Sequence, residues 1–333
     1  MAVTFSNTKN IPLALAVWLL HDEYDYVDKE NYFSATGLMK PIRHIIIPPR
    51  LNNSSLVDRT IDLDDLIARA LGNSVHHSIE KAWLHNRAKA LSLLGYPESV
   101  IERVLLNPTP EELKAVEDPI PVYLEQRAFR EITVDGVTYT IGGKYDMVTE
   151  GYVNDTKSTS AWGWTFGTRD EEHQLQGSIY RWIDEAQDHP VITEDFMQVN
   201  YIFTDWQKAM ARSKEDYPDS RLKEKKINLL TSQQTEDFIK EKIAYVRKHI
   251  NTPESELPFC TDEELWRSDP VYKYYADPNK TSGRSTRNFT DAVEAAKFKA
   301  EKGKGVVITV PGEVKRCAYC DAFDGCTQKD KYQ

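Results

Sequence analysis

The chain of 333 residues has only four cysteines, and none precedes Cys260. So few exclude a disulfide-stapled scaffold, and the crowding of three of them into residues 317–326 points to metal ligation in a reducing compartment. Long apolar runs are missing too. The longest, Ile11 to Leu20, passes at once into His21-Asp-Glu23, which is too short to span a bilayer and carries no leader cleavage site. The expectation is a soluble cytoplasmic protein with no membrane partner. A surplus of positive charge is also absent. The formal net charge of −10 opposes indiscriminate binding of polyanions, so any nucleic-acid site must be a local basic groove. No internal repeat or low-complexity tract is evident.

What is present suits a globular chain. Hydrophobic residues make up 40%, with seven Trp and seventeen Tyr, ample for one large or two ordinary domains. The patterning predicts a helix over 11–27 and a short segment from Phe33 that Pro41 stops. His44-Ile-Ile-Ile-Pro48 reads as a short strand or buried connector. Apolar residues at 61, 63, 66, 67, 70 and 71 predict a helix ending near Gly72, with a second from Asn73 to Leu94. After a proline-punctuated passage, 108–121, Val122 to Ile132 leads into a hairpin. Trp162 to Gly167 reads as an aromatic loop, 169–185 as a helix, Met197 to Thr204 as a strand, and Leu222 to His249 as a charged helical region. A helix near 290–302 and a strand over 305–310 precede the cysteines. The expected division is an N-terminal helical segment (1–70), a core (71–205) and a C-terminal helical and cysteine-cluster subdomain (206–333).

The stretch that carries chemistry is Gly142 to Tyr180. Val137-Thr-Tyr-Thr-Ile141 and Lys144 to Val148 read as extended chain, Thr149-Glu-Gly151 as a turn, and Tyr152 to Ser158 as the next strand. Side chains alternate along a strand, so Asp155 and Lys157 share one face while Asn154 and Thr156 share the other. Asp146, on the antiparallel neighbour, can approach the same edge, giving two carboxylates around a space suited to a hard divalent cation. Upstream, His76 and Glu80 lie four apart on one helical face. A lone histidine there is ordinarily a hydrogen-bonded helix residue, and only the ordered set gives it a further meaning. Downstream, Gln176 and Tyr180 lie one helical turn apart and can both face the hairpin, either as site residues or as a surface Gln beside a packing Tyr.

Taken together, His76 after Gly72, Asp146 in Gly-Lys-Tyr-Asp, Asp155-Thr-Lys157, and Gln176 with Tyr180 resemble the PD-(D/E)XK nuclease superfamily. Within it they resemble the RecB-like exonuclease branch of phages, recombination helicase-nucleases and CRISPR-associated exonucleases. The likeness covers roughly residues 34–205. It implies an α/β fold with a mixed central β-sheet flanked by helices, and a metal-dependent DNA exonuclease acting in phage recombination, replication or DNA degradation. Its partners would be DNA and other recombination or replication proteins, in the host cytoplasm if the chain is phage-encoded. His76, Asp146, Asp155 and the Thr156 carbonyl would be the ligands of Mg²⁺ or Mn²⁺, with Lys157 catalytic and Gln176 and Tyr180 supporting the site and the DNA strand. An endonuclease of the same fold, or a non-catalytic module holding DNA ends or partners, remains the competing reading.

The second constellation is Cys317-x-x-Cys320-x5-Cys326 with Cys260. Four thiols match a closed Cys₄ site for an iron–sulfur cluster or for zinc, with uncoordinated buried thiols as the plain alternative. The C-terminal triple spacing resembles that of CRISPR-associated and AddB-type nucleases, which implies a 4Fe–4S cluster. In those relatives the fourth cysteine precedes the nuclease core, whereas here Cys260 must take its place. Closure of Cys260 onto the tail would carry Lys280, Arg284 and Arg287 beside the core as a basic wall.

Overall fold

A computed structural model describes residues 4–22, 25–53, 60–166 and 169–332. The chain forms two compact units, one comprising Met1–Lys40 with Asp58–Lys248 and the other Pro41–Val57 with His249–Gln333. In chain order the elements begin with β1 (Thr4–Ser6), α1 (Leu13–Leu19), β2 (Tyr32–Ser34), α2 (Ala35–Leu38), α3 (Ile42–Asn53), β3 (Thr60–Asp62) and α4 (Ile67–Leu93). They continue through α5 (Glu98–Ile101), β4 (Val104–Leu106), α6 (Pro110–Ala115), β5 (Ile120–Val134), β6 (Val137–Thr149), β7 (Tyr152–Thr159), α7 (Ala161–Phe166) and α8 (Asp170–Asp184). Next come β8 (Phe196–Phe203), α9 (Lys208–Ser213), β9 (Leu222–Asn228), α10 (Ser232–His249), β10 (Val271–Tyr275), β11 (Arg287–Phe289), α11 (Ala292–Lys302) and β12 (Val306–Val310).

The first unit is built on a seven-stranded mixed sheet in the order β4-β5-β6-β7-β8-β9, with β2 also paired to β6. Two tight turns set the register. Asp135 and Gly136 have φ of 47° and 75°, and Glu150 and Gly151 have φ of 52° and 81°, the paired left-handed conformations that match strand twist in a two-residue hairpin. β5 and β6 pair from Val122↔Thr149 to Val134↔Val137, with the ladder interrupted at Glu125 and Asp146 between Leu124↔Met147 and Gln126↔Tyr145. β6 and β7 pair only at Met147↔Asn154, Val148↔Val153 and Thr149↔Tyr152, after which β7 runs parallel to β8 as far as Thr159↔Phe203. The same edge of β6 is taken up again only at Thr140, Ile141 and Gly142, by β2. Among the described residues, 143–146 therefore have no strand partner on that edge.

One sheet face is covered by α8, which packs on β5, β6, β8 and β9. Its face buries Gln176, Ile179, Tyr180, Trp182 and Ile183 in a core with Ile141, Val148, Val153, Met197 and Val199. Asp184 closes the helix: its carboxylate accepts from the Val191 and Ile192 amides, each at 2.7 Å, and from the Tyr145 hydroxyl at 3.2 Å. α4 passes over β7. The second unit contains a three-stranded antiparallel sheet, β11-β10-β12, with α11 packed on it.

Several expectations from periodicity are corrected. Of the helix expected over 11–27, α1 covers Leu13–Leu19, and residues 23 and 24 lie outside the described residues. His44 to Pro48 is neither strand nor connector but part of α3, where Ile42, Ile46 and Ile47 form a buried stripe and Pro48 and Pro49 lie inside the helix. The segment expected as a helix up to Gly72 contains β3 and a short 3₁₀ turn, and α4 then runs unbroken through Gly72. A glycine costs about 1 kcal/mol in a helix interior, a penalty that 27 residues of continuous helix absorb. Trp162 and Trp164 lie on α7, not in a loop. Leu222 to Asn228 is β9, an edge strand on β8, and only the later part of that region, α10, is helical. In β9 the inward positions are Lys223, Lys225 and Ile227, so the alternation is hidden by lysines where apolar residues would announce a strand.

Consecutive glycines on β6 admit aromatic rings from opposite faces. A Cβ at Gly142 would lie 2.6 Å from a Tyr32 ring carbon, and one at Gly143 would lie 2.8 Å from Tyr180 Cδ1. Gly143→Val is expected to lower stability in urea unfolding by about 1–3 kcal/mol through overpacking, and to displace Tyr180.

Candidate active site

The unpaired edge of β6 is where the named residues meet. Asp146 is the first residue beyond the last β6–β7 pair, so its side chain stands at the fork of the two strands. Asp155, two residues along β7 from Val153, is 3% exposed. Lys157, on the same face, places Nζ 2.8 Å from Asp155 Oδ2 and 3.0 Å from Oδ1. From α8, Gln176 Nε2 donates to the Tyr180 hydroxyl at 3.0 Å and reaches Asp155 Oδ1 at 3.5 Å. From α4, His76 Nδ1 lies 2.9 Å from Asp146 Oδ2. Thr156 lines the cleft together with His76 and Asp146. All seven residues expected at this site thus belong to the first unit and converge on the fork.

Burial and charge oppose each other here. Asp155 is pushed above the ordinary carboxylate range chiefly by burial, with the Asp146 charge adding to the effect and Lys157 opposing it. His76 is held above its ordinary value by its contact with the Asp146 carboxylate, against the opposing effect of burial. Oδ2 of Asp146 and Oδ2 of Asp155 are buried and receive no aligned hydrogen bond, although each faces one cationic side chain. Two buried carboxylate oxygens that lack an aligned hydrogen bond, beside an imidazole, form a donor set of the kind that hard divalent cations take. The side chains are not drawn to coordination distances: among the described residues no three His, Cys, Asp or Glu groups form a metal-binding arrangement.

Two contributors were not foreseen from the linear pattern. His173, one turn before Gln176 on α8, is buried and held down to about 4 by burial and then by the Lys157 charge, so it is neutral at physiological pH. Its spacing of three from Gln176 and seven from Tyr180 is the clue that was available. Glu125 on β5 sits where the ladder with β6 is interrupted, between Leu124↔Met147 and Gln126↔Tyr145, and has φ of 53° in mid-strand, a conformation that costs a non-glycine residue on the order of 1 kcal/mol. It pairs with Lys144 at 2.5 Å and lines the same cleft. That cleft, about 510 Å³, is walled by Ile79, Trp83 and Leu124 and edged by Glu80, Asn200 and Lys223.

In the second unit the tail cysteines sit at the corners of successive 3₁₀ turns: the Cys320 amide donates to the Cys317 carbonyl, and the Phe323 amide to that of Cys320. Cys260 is fixed to the tail by Gln328, whose side chain accepts from its amide at 2.8 Å and donates to its carbonyl at 2.9 Å. All four cysteines are free, and each lies within charge-interaction range of Cys326, or is Cys326. Burial pushes Cys320 up to about 11 and Cys260 up to about 12. Unforeseen is His44, whose Nε2 is 2.7 Å from Cys320 Sγ. Lys280, Arg284 and Arg287 belong to this second unit, with Arg287 stacked on Phe289 and Phe298.

The chain is therefore a mixed α/β protein whose central mixed sheet, flanked by helices, presents a carboxylate–lysine fork. No family model matches it, and no curated protein matches it. Among solved structures it is similar to the crystal structure of SSO0001 at 18% identity, over 73% of this chain and 89% of that one, with a TM-score of 0.42. Among the described residues no helix is long and apolar enough to cross a membrane.

Two outcomes follow from the electrostatics. Because the folded-state pKa of Asp155 is raised, its ionised form costs stability at neutral pH, a cost absent below the unfolded value. Asp155→Asn is expected to stabilise the metal-free protein in thermal or urea unfolding at pH 7 by on the order of 1 kcal/mol, and the gain should shrink toward acid. His76 carries the same sign: its pair with Asp146 adds stability that is complete below the ordinary histidine pKa and lost as pH rises through the folded value. Imidazole NMR titration of metal-free protein should place His76 above its ordinary value, and Asp146→Asn should move it down.

Proposed function

We propose that the chain is a metal-dependent deoxyribonuclease that hydrolyses phosphodiester bonds, acting on DNA ends in recombination, replication or degradation of phage DNA in the host cytoplasm. The observation that carries this reading is the fork itself: Asp146 and Asp155 on parting strands, Lys157 against Asp155, His76 from one helix and Gln176 with Tyr180 from another. The buried Oδ2 atoms of Asp146 and Asp155, each facing one cationic side chain and neither receiving an aligned hydrogen bond, support a site that a divalent cation would complete. The resemblance of the ordered motifs supports the preference for ends.

His76, Asp146, Asp155 and the Thr156 carbonyl would hold Mg²⁺ or Mn²⁺, the histidine tilting the preference toward manganese. A divalent cation bound there supplies Lewis acidity toward a phosphate oxygen and a water of lowered pKa. Lys157 has three donors, of which Asp155 Oδ1 engages one. The others can orient the attacking water or stabilise charge that builds on the phosphate. Gln176 steadies Asp155 and Tyr180 together, and neutral His173 adds no charge beneath Lys157. The cleft wall of Trp83 and Ile79 offers apolar surface to bases, with Asn200 and Lys223 at its rim for the backbone.

The test is digestion of end-labelled linear DNA against closed circular DNA with Mg²⁺ or Mn²⁺. Wild type is expected to degrade linear DNA only, and Asp155→Ala and Lys157→Ala to lose at least about a hundredfold in rate. Cutting of closed circles would make the chain an endonuclease of the same fold. Absence of cleavage with either metal, with DNA retained in a binding assay, would leave a non-catalytic module that holds DNA ends or partner proteins.

A further inference from the structure

The second unit joins two segments far apart in sequence, and the contacts that join them converge on the cysteines. Arg43, fully buried, donates to the Leu257 carbonyl at 2.7 Å and the Pro258 carbonyl at 3.0 Å, and pairs with Glu254. Its Nη1 also lies 3.3 Å from Cys326 Sγ. The next residue, His44, places Nε2 2.7 Å from Cys320 Sγ. Two successive residues in the first turn of α3 thus address two of the three tail thiols. The tail approaches α3 closely: a Cβ at Gly325 would lie 2.7 Å from Leu51 Cδ2 and 3.1 Å from Ile47 Cγ2, so a larger residue there would have to displace those side chains.

Five soft or borderline donors are therefore present where a four-coordinate site needs four. Cys317, Cys320 and Cys326 are partly exposed and borne on successive short turns. Cys260 is buried, and its segment is already held by the Gln328 amide on both sides, which accounts for its position as that of a small packing residue. We infer that the second unit holds a structural Zn²⁺ on His44, Cys317, Cys320 and Cys326, with Cys260 outside the site. Three thiolates and one imidazole are a closed tetrahedral zinc set. The four side chains are not drawn to coordination distances among the described residues, so the assignment requires the cysteine side chains to turn toward His44. Coordination would fasten α3 to the tail, making the ion a clamp between residues 41–57 and 249–333.

The inference is independent of the cleavage reading, and its test does not use DNA. Full-length protein purified without chelator is expected to carry about one zinc per chain by mass spectrometry. Zinc X-ray absorption of the unmutated chain should then show one nitrogen at roughly 2.0–2.1 Å and three sulfurs at about 2.3 Å. His44→Ala should weaken zinc retention against a chelator at least about tenfold, and Cys260→Ala should leave it unchanged. Four sulfurs in the unmutated protein, zinc loss from Cys260→Ala, full retention by His44→Ala, or a brown iron–sulfur chromophore in place of zinc would each overturn the assignment. The absorption measurement stands even where a variant fails to fold.

Discussion

A carboxylate buried to 3% exposure must be held by something, and at Asp155 that something is Lys157 on the same strand, with Gln176 above it. Moving an ion of that size out of water costs several kcal/mol even after relaxation, and one close cation repays it only with good geometry and further hydrogen bonds. Here the repayment is partial, since burial still pushes Asp155 up and Oδ2 is left without an aligned donor. A fold that only needed stability could place an apolar residue beneath α8, as it does with Ile179 and Ile183. The retained charge is thus a cost borne by the surrounding core, and the natural use of such a site is one in which a further positive charge completes it.

The fork that exposes Asp146 follows from strand pairing alone. Residues of β6 at 140–142 are taken by β2 and those at 147–149 by β7, leaving four residues between with their backbone groups on that edge unclaimed by a strand. Gly142 and Gly143 sit at the start of this gap and admit Tyr32 and Tyr180. Tyr180 in turn receives the Gln176 amide that reaches Asp155. Packing on one face and polar order at the fork are therefore the same set of contacts. Asp184 fixes the far end of α8 through two main-chain amides, so the helix cannot slide along the sheet and the register of Gln176 against Asp155 is kept.

Legibility in the sequence divides along physical lines. Asp155 and Lys157 were readable because alternation along a strand needs only neighbouring residues, and the Glu150-Gly151 turn announced itself by its residue types. The mixed sheet flanked by helices was implied by the resemblance of the ordered motifs, with which the succession of helical and extended segments agreed. β9 was not, because its inward positions are lysines, one of them paired with Asp170, and charge pattern there mimics an exposed helix. Glu125 was invisible because a positive φ in mid-strand leaves no trace in residue type. His44 was invisible for another reason: its partner Cys320 is 276 residues away, and the isoleucines around it look equally like a strand until Pro48 and Pro49 are seen inside a helix.

The second unit raises the question of how a small body made from two distant segments stays together. The cluster on its sheet contains Tyr274, Phe289 and Ala295, while Ile42, Ile46 and Ile47 from one segment and Leu257, Leu265 and Ala322 from the other are also buried. Long-range closure carries an entropic cost that grows only slowly with loop length, and this apolar burial offsets part of it. Arg43 meets part of that cost, since a guanidinium with several main-chain and side-chain acceptors replaces lost hydration with directed bonds. Its charge nonetheless remains buried and answered mainly by Glu254, an arrangement that specifies geometry more than it stabilises. Zinc on His44 and the tail cysteines, as inferred above, would add a further fastening between α3 and the tail to the one Arg43 makes, at the point where His44 meets Cys320.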